Sequence, residues 1–513
     1  MALSLSRARA RVRVSEWLGA VAATCPSMAA CAVARGVRGV SSICGSGRRA
    51  PRRAQRMAAA QADSATDEGA GGSRPSDETA VVVGDGPLGA ATARHLLKRG
   101  VKSVTVVDGR AVGLGSSHAD RARLLRGADA EGRTDWARRN AQSLDAFAGI
   151  EADAGLRFFT CCGALMVGPK DFVTRARESA EASREGAGES LEDVSSAMRN
   201  DGREGGGDDD RWPYLSPAPG SDFAVYDSSA GYVDPLAMIE AFHAAAEAQH
   251  PGRLRVVPGE ATRVRAESGG VEVSLASGEV LHAERCVIAG GALSRALLAA
   301  SADDGGLFGA LEGATGSDPL AGVRVSRRTV ALLQVDDAVA EGMLKDMPTI
   351  KYAFALGGGG GDSGGEQGRV ESGSVYILPP VRYPERENAY YIKLGGGPND
   401  FMAEDVGRAE IDEWLASEGD PNSAAWLESV LRALMPSVPF VGAARSMACV
   451  TTVDAQGGIG AAAAERAGAT GRVTVVGACM GKAAGPADAL GREVADIALG
   501  GTGEPRQGES ECG

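Results

Sequence analysis

Three glycines with a fixed spacing mark the first place in the chain where the residues could do chemistry. Gly84, Gly86 and Gly89 end the apolar run 79–84 in the order G-x-G-x-x-G, and a helical stretch begins directly after them. The first glycine allows a tight turn, the second lets backbone approach a pyrophosphate, and the third lets the helix pack closely. The helix N-terminus also favours an anion. The pattern predicts a dinucleotide-binding loop, and the alternative is an ordinary glycine turn.

An acidic residue completes this unit. The apolar stretch 104–107 is predicted to be a second strand and ends in Asp108, 24 residues after Gly84. A carboxylate at this distance can accept hydrogen bonds from ribose hydroxyls. Pro87 and Leu88 lie inside the loop and are expected to contact the same cofactor. The spacing alone does not choose between NAD and FAD.

The elements that would hold this loop come from separate stretches of the chain. From Val264 to Ile288, short strands alternate with Ser-Gly turns, which predicts a small β-meander running into Gly290. A similar buried strand at 473–476 precedes a terminal helix at 487–499. Flavoproteins are commonly built in this discontinuous way, whereas a simple NAD domain is usually continuous. The order of elements favours FAD, with Val264 and Gly290 among its contacts.

Composition limits the remaining classes of function. The 513 residues include 54 Lys and Arg against 67 Asp and Glu, a net charge of −13, and 44% of them are hydrophobic. This length has room for two or three domains. An acidic chain has no excess of cations to replace the counterions of DNA or RNA, which argues against a nucleic-acid partner. Nine cysteines without a C-x-x-C pair predict reduced thiols and no metal site.

The N-terminus has the opposite charge from the rest of the chain. Residues 1–60 contain eleven Arg, no Lys and a single acid, Glu16. An Arg- and Ser-rich, acid-poor start is typical of an organelle transit peptide, mitochondrial or chloroplast, and a disordered basic tail is the alternative. Residues 17–34 are uncharged but Ala-rich with a central Pro26, so no integral membrane segment is expected.

Ten short motifs between residues 79 and 500 follow one another in the order found in a known family. They are Gly115–His118, Arg123–Arg126, Thr160–Pro169, Arg211–Pro213, Ala230–Pro235, Cys286–Ala292, Tyr376–Pro380, Ile392–Gly395, Ala448–Thr452 and Val475–Gly477. With these motifs the chain resembles the FAD-dependent amine oxidases of the monomeric sarcosine oxidase, pipecolate oxidase and N-methyltryptophan oxidase group. That group lies within the larger D-amino-acid-oxidase-like superfamily.

The resemblance implies roles for residues at matching positions. Cys449 stands where family members attach FAD covalently through a thioether, and the alternative is a buried structural cysteine. Lys393 corresponds to the lysine over the flavin that helps dioxygen accept its first electron, since a fixed cation stabilises developing superoxide. A lysine pointing outward into solvent is the alternative. Ser117 and His118 match the family's Ser-His segment and are expected to contact the cofactor.

The resemblance also implies a carboxylate-binding site. In the family, the residue matching Arg123 is closer to the flavin, and the residue matching Arg126 binds the substrate acid. A guanidinium holds a carboxylate through two hydrogen bonds, which suits an amino-acid substrate. Two surface arginines on a polar helix face would look the same in the sequence. Tyr376 is expected to line the pocket, and a core tyrosine is the alternative.

Several positions depart from the family pattern. The family's active-site histidine is replaced in the run Gly395–Gly397, and a tyrosine shortly after the second arginine becomes Asp129. The C-terminal glycine loop, where Gly481 is expected to face the flavin, has an altered sequence. Lys482 is predicted to restore a positive charge there. These departures put sarcosine itself in doubt.

The combined observations predict an α/β fold with a discontinuous FAD-binding Rossmann-type domain and a mixed α+β substrate domain. The transit peptide is expected at 1–60, a linker at 61–78 and a tail at 501–513. The FAD domain is expected from three segments, 79–155, 226–300 and 445–500. The substrate domain is expected from the two segments between them, 156–225 and 301–444. A helix is predicted over 413–435. Glycine- and acid-rich inserts at 184–210 and 357–373 are predicted to be solvated loops.

Three functions remain open at this point. The first is an oxidase that oxidises the C–N bond of a secondary amine or amino acid and reduces dioxygen to hydrogen peroxide. The second is an organelle flavoprotein without turnover, such as an assembly or binding factor. The third is an FAD dehydrogenase that uses another electron acceptor. The expected partners are a small amine or amino-acid substrate and dioxygen; the oligomeric state is open, with a monomer favoured.

Overall fold

The structure, a computed structural model, describes residues 78–113, 115–129, 131–183, 191–198, 211–267, 269–301, 320, 322–355, 372–454, 463–467, 471–477 and 479–501. The predicted transit peptide lies outside these residues, as do nearly all of the predicted linker and tail. Within the described ranges, no helix combines the length and apolar character that crossing a bilayer requires.

Strands and helices alternate along the chain. The strands are β1 (Thr79–Val83), β2 (Ser103–Asp108), β3 (Arg123–Leu125), β4 (Phe159–Thr160), β5 (Ala164–Gly168), β6 (Leu191–Asp193), β7 (Phe223–Asp227), β8 (Gly231–Val233), β9 (Leu254–Pro258), β10 (Ala261–Glu267), β11 (Gly270–Leu275), β12 (Val280–Ala283), β13 (Arg285–Ile288), β14 (Val323–Val335), β15 (Thr349–Ala355), β16 (Ser372–Ile377), β17 (Val381–Tyr383), β18 (Ala389–Gly396), β19 (Asp400–Phe401), β20 (Val441–Asp454), β21 (Ala463–Ala467) and β22 (Val473–Gly477). The α-helices are α1 (Pro87–Lys98), α2 (Thr134–Ala154), α3 (Lys170–Glu181), α4 (Ser195–Met198), α5 (Pro235–Gln249), α6 (Ser294–Ala300), α7 (Arg408–Ala416), α8 (Pro421–Leu434) and α9 (Ala487–Ala498).

A six-stranded sheet carries the glycine loop. Its strand order is β21-β22-β13-β1-β2-β9, and each neighbouring pair is parallel except β21 with β22. Helices α1 and α9 cover one face, where Val82 packs with Leu96 and Leu490. The other face packs on the β10-β11-β12 meander and α6. Because both faces are covered, the strands are continuous apolar runs, which is why the sequence showed them.

Sheet order brings the separated stretches of chain together. The strands β1, β13 and β22 are neighbours although they begin at residues 79, 285 and 473. The predicted meander is confirmed, with antiparallel pairs β10–β11 and β11–β12. The α/β fold with a discontinuous nucleotide-type sheet is therefore confirmed.

A ten-stranded mixed sheet forms the second layer. Its order is β19-β14-β18-β16-β15-β5-β7-β6, with β17 paired to β18 and β20 paired to β14. One face lies on an apolar core that includes Ile350, Ile377 and Ile392 together with Leu427 and Leu431 of α8. Side chains alternate between the two faces of a sheet along each strand. The residues next to these isoleucines in their strands therefore point to the opposite face.

The opposite face of this sheet is polar. Register pairs Lys351 with Tyr376 and Tyr376 with Gly395, and Lys393 lies two residues before Gly395 on the same strand. Across β14, Arg328 pairs with Cys449. We call this the polar sheet face; it gathers side chains from β14, β15, β16, β18 and β20.

Two sequence predictions about the second layer were wrong. The helix predicted over 413–435 is two helices, α7 and α8. Gly419, with φ +81°, breaks the helical path, and the Asp420 carboxylate caps α8 at the amides of Asn422 and Ser423. The insert at 184–210 is not simply a solvated loop, because Val194 and Met198 are buried in the core of the large sheet. Residues 184–190 and 199–210 of this insert lie outside the described residues. Most of the insert at 357–373 also lies outside them.

The domain boundaries stay predictions. The one placed at 445 falls inside β20, whose pairing with β14 extends from Val441 to Asp454. Strand β20 belongs to the ten-stranded sheet. After β20, the chain returns to the six-stranded sheet at β21.

Candidate active site

The glycine loop has no room for side chains at two of its three glycines. A Cβ on Gly84, whose φ is +106°, would lie 2.5 Å from the carbonyl oxygen of Ala289, and a Cβ on Gly89 would lie 1.9 Å from the oxygen of Gly84. The first contact also places Gly290, which follows Ala289, directly beside the loop. The predicted residues Gly84, Gly89 and Gly290 are therefore brought together where β1 and β13 end.

The first turn of α1 is open to an anion. Gly86 provides no side chain to cap the helix, Pro87 occupies its first position, and the first turn contains no acidic residue. The amides of Leu88 and Gly89, which lie in that turn, are the donors that such a helix start offers to a phosphate.

Two buried polar atoms beside the loop have no partner. Ser116 Oγ and His118 Nε2 make no hydrogen bond with any described residue, and the His118 ring lies 3.4 Å from the position of a Cβ on Gly86. Burial, together with the charges of Arg110 and Arg123, lowers the pKa of His118 to about 3. Buried polar groups are normally hydrogen-bonded. The neutral imidazole of His118 and the hydroxyl of Ser116 are therefore suited to form hydrogen bonds with a bound dinucleotide.

The predicted ribose acceptor has a partner that the sequence reasoning missed. Asp108 Oδ1 accepts hydrogen bonds from the backbone N–H of Arg110 (2.9 Å) and from its Nε (3.0 Å). Arg110 also donates to Asp85 Oδ2 at 3.0 Å. Val264 is less accessible: its side chain is buried under the sheet, and its N–H donates to Ser301 Oγ at 2.9 Å. Its predicted cofactor contact stays a prediction.

Lys393 points inward, so the solvated alternative is wrong. The residue is 1% exposed on the polar sheet face, and its Nζ donates to Asp120 Oδ2 at 2.5 Å and to the carbonyl of Ala122. Burial and the neighbouring Arg123 lower the pKa of Lys393 to about 8, while Asp120 opposes this change. The ammonium is thus a fixed charge inside the protein.

Asp120 organises this region and was also missed. It accepts hydrogen bonds from Lys393, from Arg123 Nη1 (2.7 Å) and from the hydroxyl of Tyr383 (2.9 Å). Burial disfavours its charged form, but Lys393 and Arg123 outweigh that cost and hold its pKa well below the usual range. The only sequence signal was an acid three residues before Arg123.

Arg123 connects the loop to the predicted attachment point. Its Nη2 donates to the carbonyl of Ser117 at 2.5 Å, and Cys449 Sγ lies 3.7 Å from the same oxygen. Tyr376 lies on the polar sheet face with its ring over Gly395, where an added Cβ would be 2.5 Å from the hydroxyl. The structure therefore brings Ser117, Arg123 and Cys449 together, and the Tyr376 ring leaves no room for a side chain at Gly395.

A second group of charges surrounds Arg126. Arg126 Nη1 is buried without a hydrogen-bond partner among the described residues. Lys482 Nζ lies 2.9 Å from Asp129 Oδ1 and 2.6 Å from Glu131 Oε2, so its charge is already paired. Gly481, with φ +71°, places this loop against β20, since its Cβ would lie 3.0 Å from the methyl of Thr451.

Lys351 is a further residue that sequence reasoning missed. Its Nζ donates to Ser374 Oγ at 3.0 Å, and burial, Arg126 and Lys482 lower its pKa to about 8 although Glu131 raises it. The signal was present, because Ile350-Lys351-Tyr352 places a lysine between apolar residues just as Ile392-Lys393-Leu394 does.

Part of the sequence matches a known family. Residues 79–316 match the family model DAO, described as FAD dependent oxidoreductase. These residues are a DAO-family FAD-dependent oxidoreductase domain. Monomeric sarcosine oxidase from Arthrobacter sp. is 27% identical over 184 residues, which cover 36% of this chain and 44% of that protein. The chain thus matches less than half of the length of this curated relative.

Solved structures with the same fold span most of the chain. L-proline dehydrogenase from P. horikoshii aligns with a TM-score of 0.57 at 15% identity, covering 82% of this chain and 93% of that one. NikD, described as an unusual amino acid oxidase essential for nikkomycin biosynthesis, aligns with a TM-score of 0.56 at 18% identity, covering 82% and 94%. These alignments extend the fold of the DAO domain well beyond the matched residues 79–316.

The residues of the DAO domain fit its cofactor. The open start of α1 and the unpartnered atoms of Ser116 and His118 are suited to the diphosphate and its neighbours, and Asp108 to a ribose. Arg123 and Cys449 both contact the carbonyl of Ser117, and Asp120 joins Arg123 to Lys393. FAD, when bound, supplies a two-electron acceptor, and the protein supplies binding, orientation and charge. Within the described residues, no group of three or more His, Cys, Asp and Glu is placed to hold a metal ion.

Proposed function

We propose that this protein is an amine or amino-acid oxidase. The observation that carries the proposal is the buried Lys393, which shares the polar sheet face with Tyr376 and Cys449 and contacts the segment that holds Arg123. A desolvated cation held in place is suited to stabilise negative charge as it develops, without the cost of reorganising water.

The reaction removes two electrons from the C–N unit of the substrate. A secondary amine or amino acid loses a hydride equivalent from carbon and the proton on nitrogen, and the resulting imine is hydrolysed by water to an amine and a carbonyl compound. Bound FAD would supply the acceptor for these two electrons, and dioxygen with two protons would then leave as hydrogen peroxide. Lys393 is proposed to assist the oxygen step.

The substrate is proposed to carry a carboxylate. Arg126 has a buried Nη1 without a partner, and an unpaired buried donor of this kind is costly unless a ligand satisfies it. A carboxylate is the anion that a guanidinium fork binds best. The relative that the chain matches is named a sarcosine oxidase, which agrees with an N-substituted amino acid.

The test is peroxide release from purified protein supplied with N-methyl and cyclic amino acids. Lys393→Met is then expected to slow reoxidation of the reduced flavin by dioxygen while leaving its reduction by substrate unchanged. The matched control is Lys345→Met, since Lys345 is an exposed lysine whose partner is Asp346. Reoxidation at the wild-type rate in Lys393→Met would show that the proposed role is wrong.

A dehydrogenase is the second candidate, and one contact favours it. The Asp120 carboxylate pairs directly with the Lys393 ammonium, which weakens the positive potential that would stabilise superoxide. One solved neighbour is titled a dehydrogenase. Rapid turnover with dye acceptors combined with slow oxidation by dioxygen would select this candidate over the oxidase.

A further inference from the structure

Lys351 faces the same region as the residues assigned to the site. It pairs with Tyr376 across β15 and β16, and Tyr376 pairs with Gly395, so the three residues form a row on the polar sheet face. In antiparallel strands, directly paired residues project to the same side. The side chain of Lys351 therefore belongs to the face that carries Lys393.

The segment that contains Arg126 lies over this row. Ala128 packs with Met166 and Ala353 in one buried cluster. Met166 is the register partner of Lys351, and Ala353 lies two residues after it on the same strand. Ala128, two residues after Arg126, thus covers the part of the sheet from which Lys351 projects.

Three cations and three carboxylates meet in this part of the structure. Lys482 is bonded to both Asp129 and Glu131. Burial opposes ionisation of Glu131, but the charges of Lys482, Arg126 and Lys351 together hold its pKa well below the usual range, so all three cations lie close to this carboxylate. Asp227, which is buried, accepts a hydrogen bond from the N–H of Gly127 and is the third carboxylate.

The donors of two residues are left for a ligand. Arg126 Nη1 is buried and has no partner among the described residues, and the hydrogen bond that Lys351 makes within the same part of the chain goes to Ser374. An ammonium has three N–H donors. One bound monoanion would satisfy these donors.

We propose that Lys351 is a specificity-determining residue that binds the carboxylate of the substrate jointly with Arg126. This inference rests on the proposed function for the identity of the substrate, but the binding itself requires no turnover. The two cations approach one carboxylate from different elements, β15 and the segment after β3. The group bound is a single carboxylate, because its two oxygens can accept hydrogen bonds from both cations at once.

The experiment measures binding of acetate to the full-length FAD-containing protein by calorimetry, with acetamide as the uncharged probe. Lys351→Met is expected to weaken acetate binding about tenfold or more, the usual effect of losing a charged hydrogen bond. Lys351→Arg should retain most of the affinity, and Lys345→Met should not change it. Lys351→Gln gives a second neutral variant if the methionine variant does not fold.

A double variant tests whether the two residues share one group. If they do, Arg126→Met with Lys351→Met loses less affinity than the product of the two single losses, because the pair is coupled. Fully multiplicative losses, or acetate affinity within twofold of wild type in Lys351→Met, would overturn the inference. If acetate binding depends on Lys351 but the protein oxidises no amine, only the oxidase proposal is overturned. If the protein oxidises amines but Lys351→Met binds acetate as wild type does, only the role of Lys351 is overturned.

Discussion

Lys482 Nζ lies 2.9 Å from the carboxylate of Asp129, and these residues are two of the positions at which the chain departs from the family that it resembles. The sequence suggested that Asp129 would place an unwelcome negative charge near a carboxylate site. The ion pair shows that the two departures compensate each other. Arg126 therefore remains available although an acid lies three residues away.

Removal of Lys482 should destabilise the fold. Lys482→Met leaves the buried Asp129 without its cation, and loss of one member of a buried pair costs about 2–4 kcal/mol in free energy of unfolding. The double variant Asp129→Asn with Lys482→Met should regain much of this loss. Urea unfolding followed by circular dichroism measures both. Lys345→Met is the control, because Lys345 and its partner Asp346 are both exposed and such a pair is worth less than about 1 kcal/mol.

Cys449 is expected to hold the flavin covalently. Acid precipitation of the wild-type protein should give a yellow pellet, and Cys449→Ser should release yellow colour into the supernatant. Cys161→Ser is the control, since Cys161 is an exposed thiol directly after β4. A colourless wild-type pellet above a yellow supernatant would show that FAD binds without the tether.

Gly395 should not tolerate a side chain. A Cβ there would lie 2.5 Å from the hydroxyl and 2.7 Å from Cζ of Tyr376. Gly395→Ala is therefore expected to lower the melting temperature, at a cost of about 1–3 kcal/mol for overpacking. Adding Tyr376→Ala should relieve the clash, so that the double variant loses less stability than the two single losses combined. Additive losses would place the strain elsewhere.

Reoxidation of the flavin should depend on pH through Lys393. Its pKa is lowered to about 8 by burial and Arg123, so the ammonium is charged below that pH and neutral above it. If the charge assists dioxygen, the rate constant for reoxidation falls as pH rises through about 8. Stopped-flow measurement from neutral pH to about pH 10 should show this decline in wild type and not in Lys393→Met. Lys351 also has a pKa near 8, and Lys351→Met should keep the decline; a flat wild-type profile would contradict the assignment.

Local patterns predicted the parts of the site that depend on backbone geometry. The glycine loop, its strands and the meander were found because steric limits and two-sided burial leave direct signatures in the sequence. The inward direction of Lys393 was expected from the resemblance to the family.

Partners from distant parts of the chain could not be predicted in this way. Asp120 and Lys393 are 273 positions apart, and Lys482 reaches Asp129 across a similar separation. Nothing in either local sequence specifies such a pairing, because it is set by how the sheets are stacked. The break between α7 and α8 was missed for a smaller reason: Asp420-Pro421 is a helix start that follows directly on a Gly419 turn.

The close packing of α1 against α9 has a consequence for biosynthesis. A Cβ on Gly491 would lie 2.6 Å from that of Ala91, so the helix that begins at the glycine loop rests on a segment that is translated much later. About 390 residues separate the two helices, which corresponds to roughly 20–80 s of synthesis. The nascent chain therefore exposes its unfinished nucleotide cradle on the ribosome for most of that time, and the cofactor can be captured fully only after translation has passed α9.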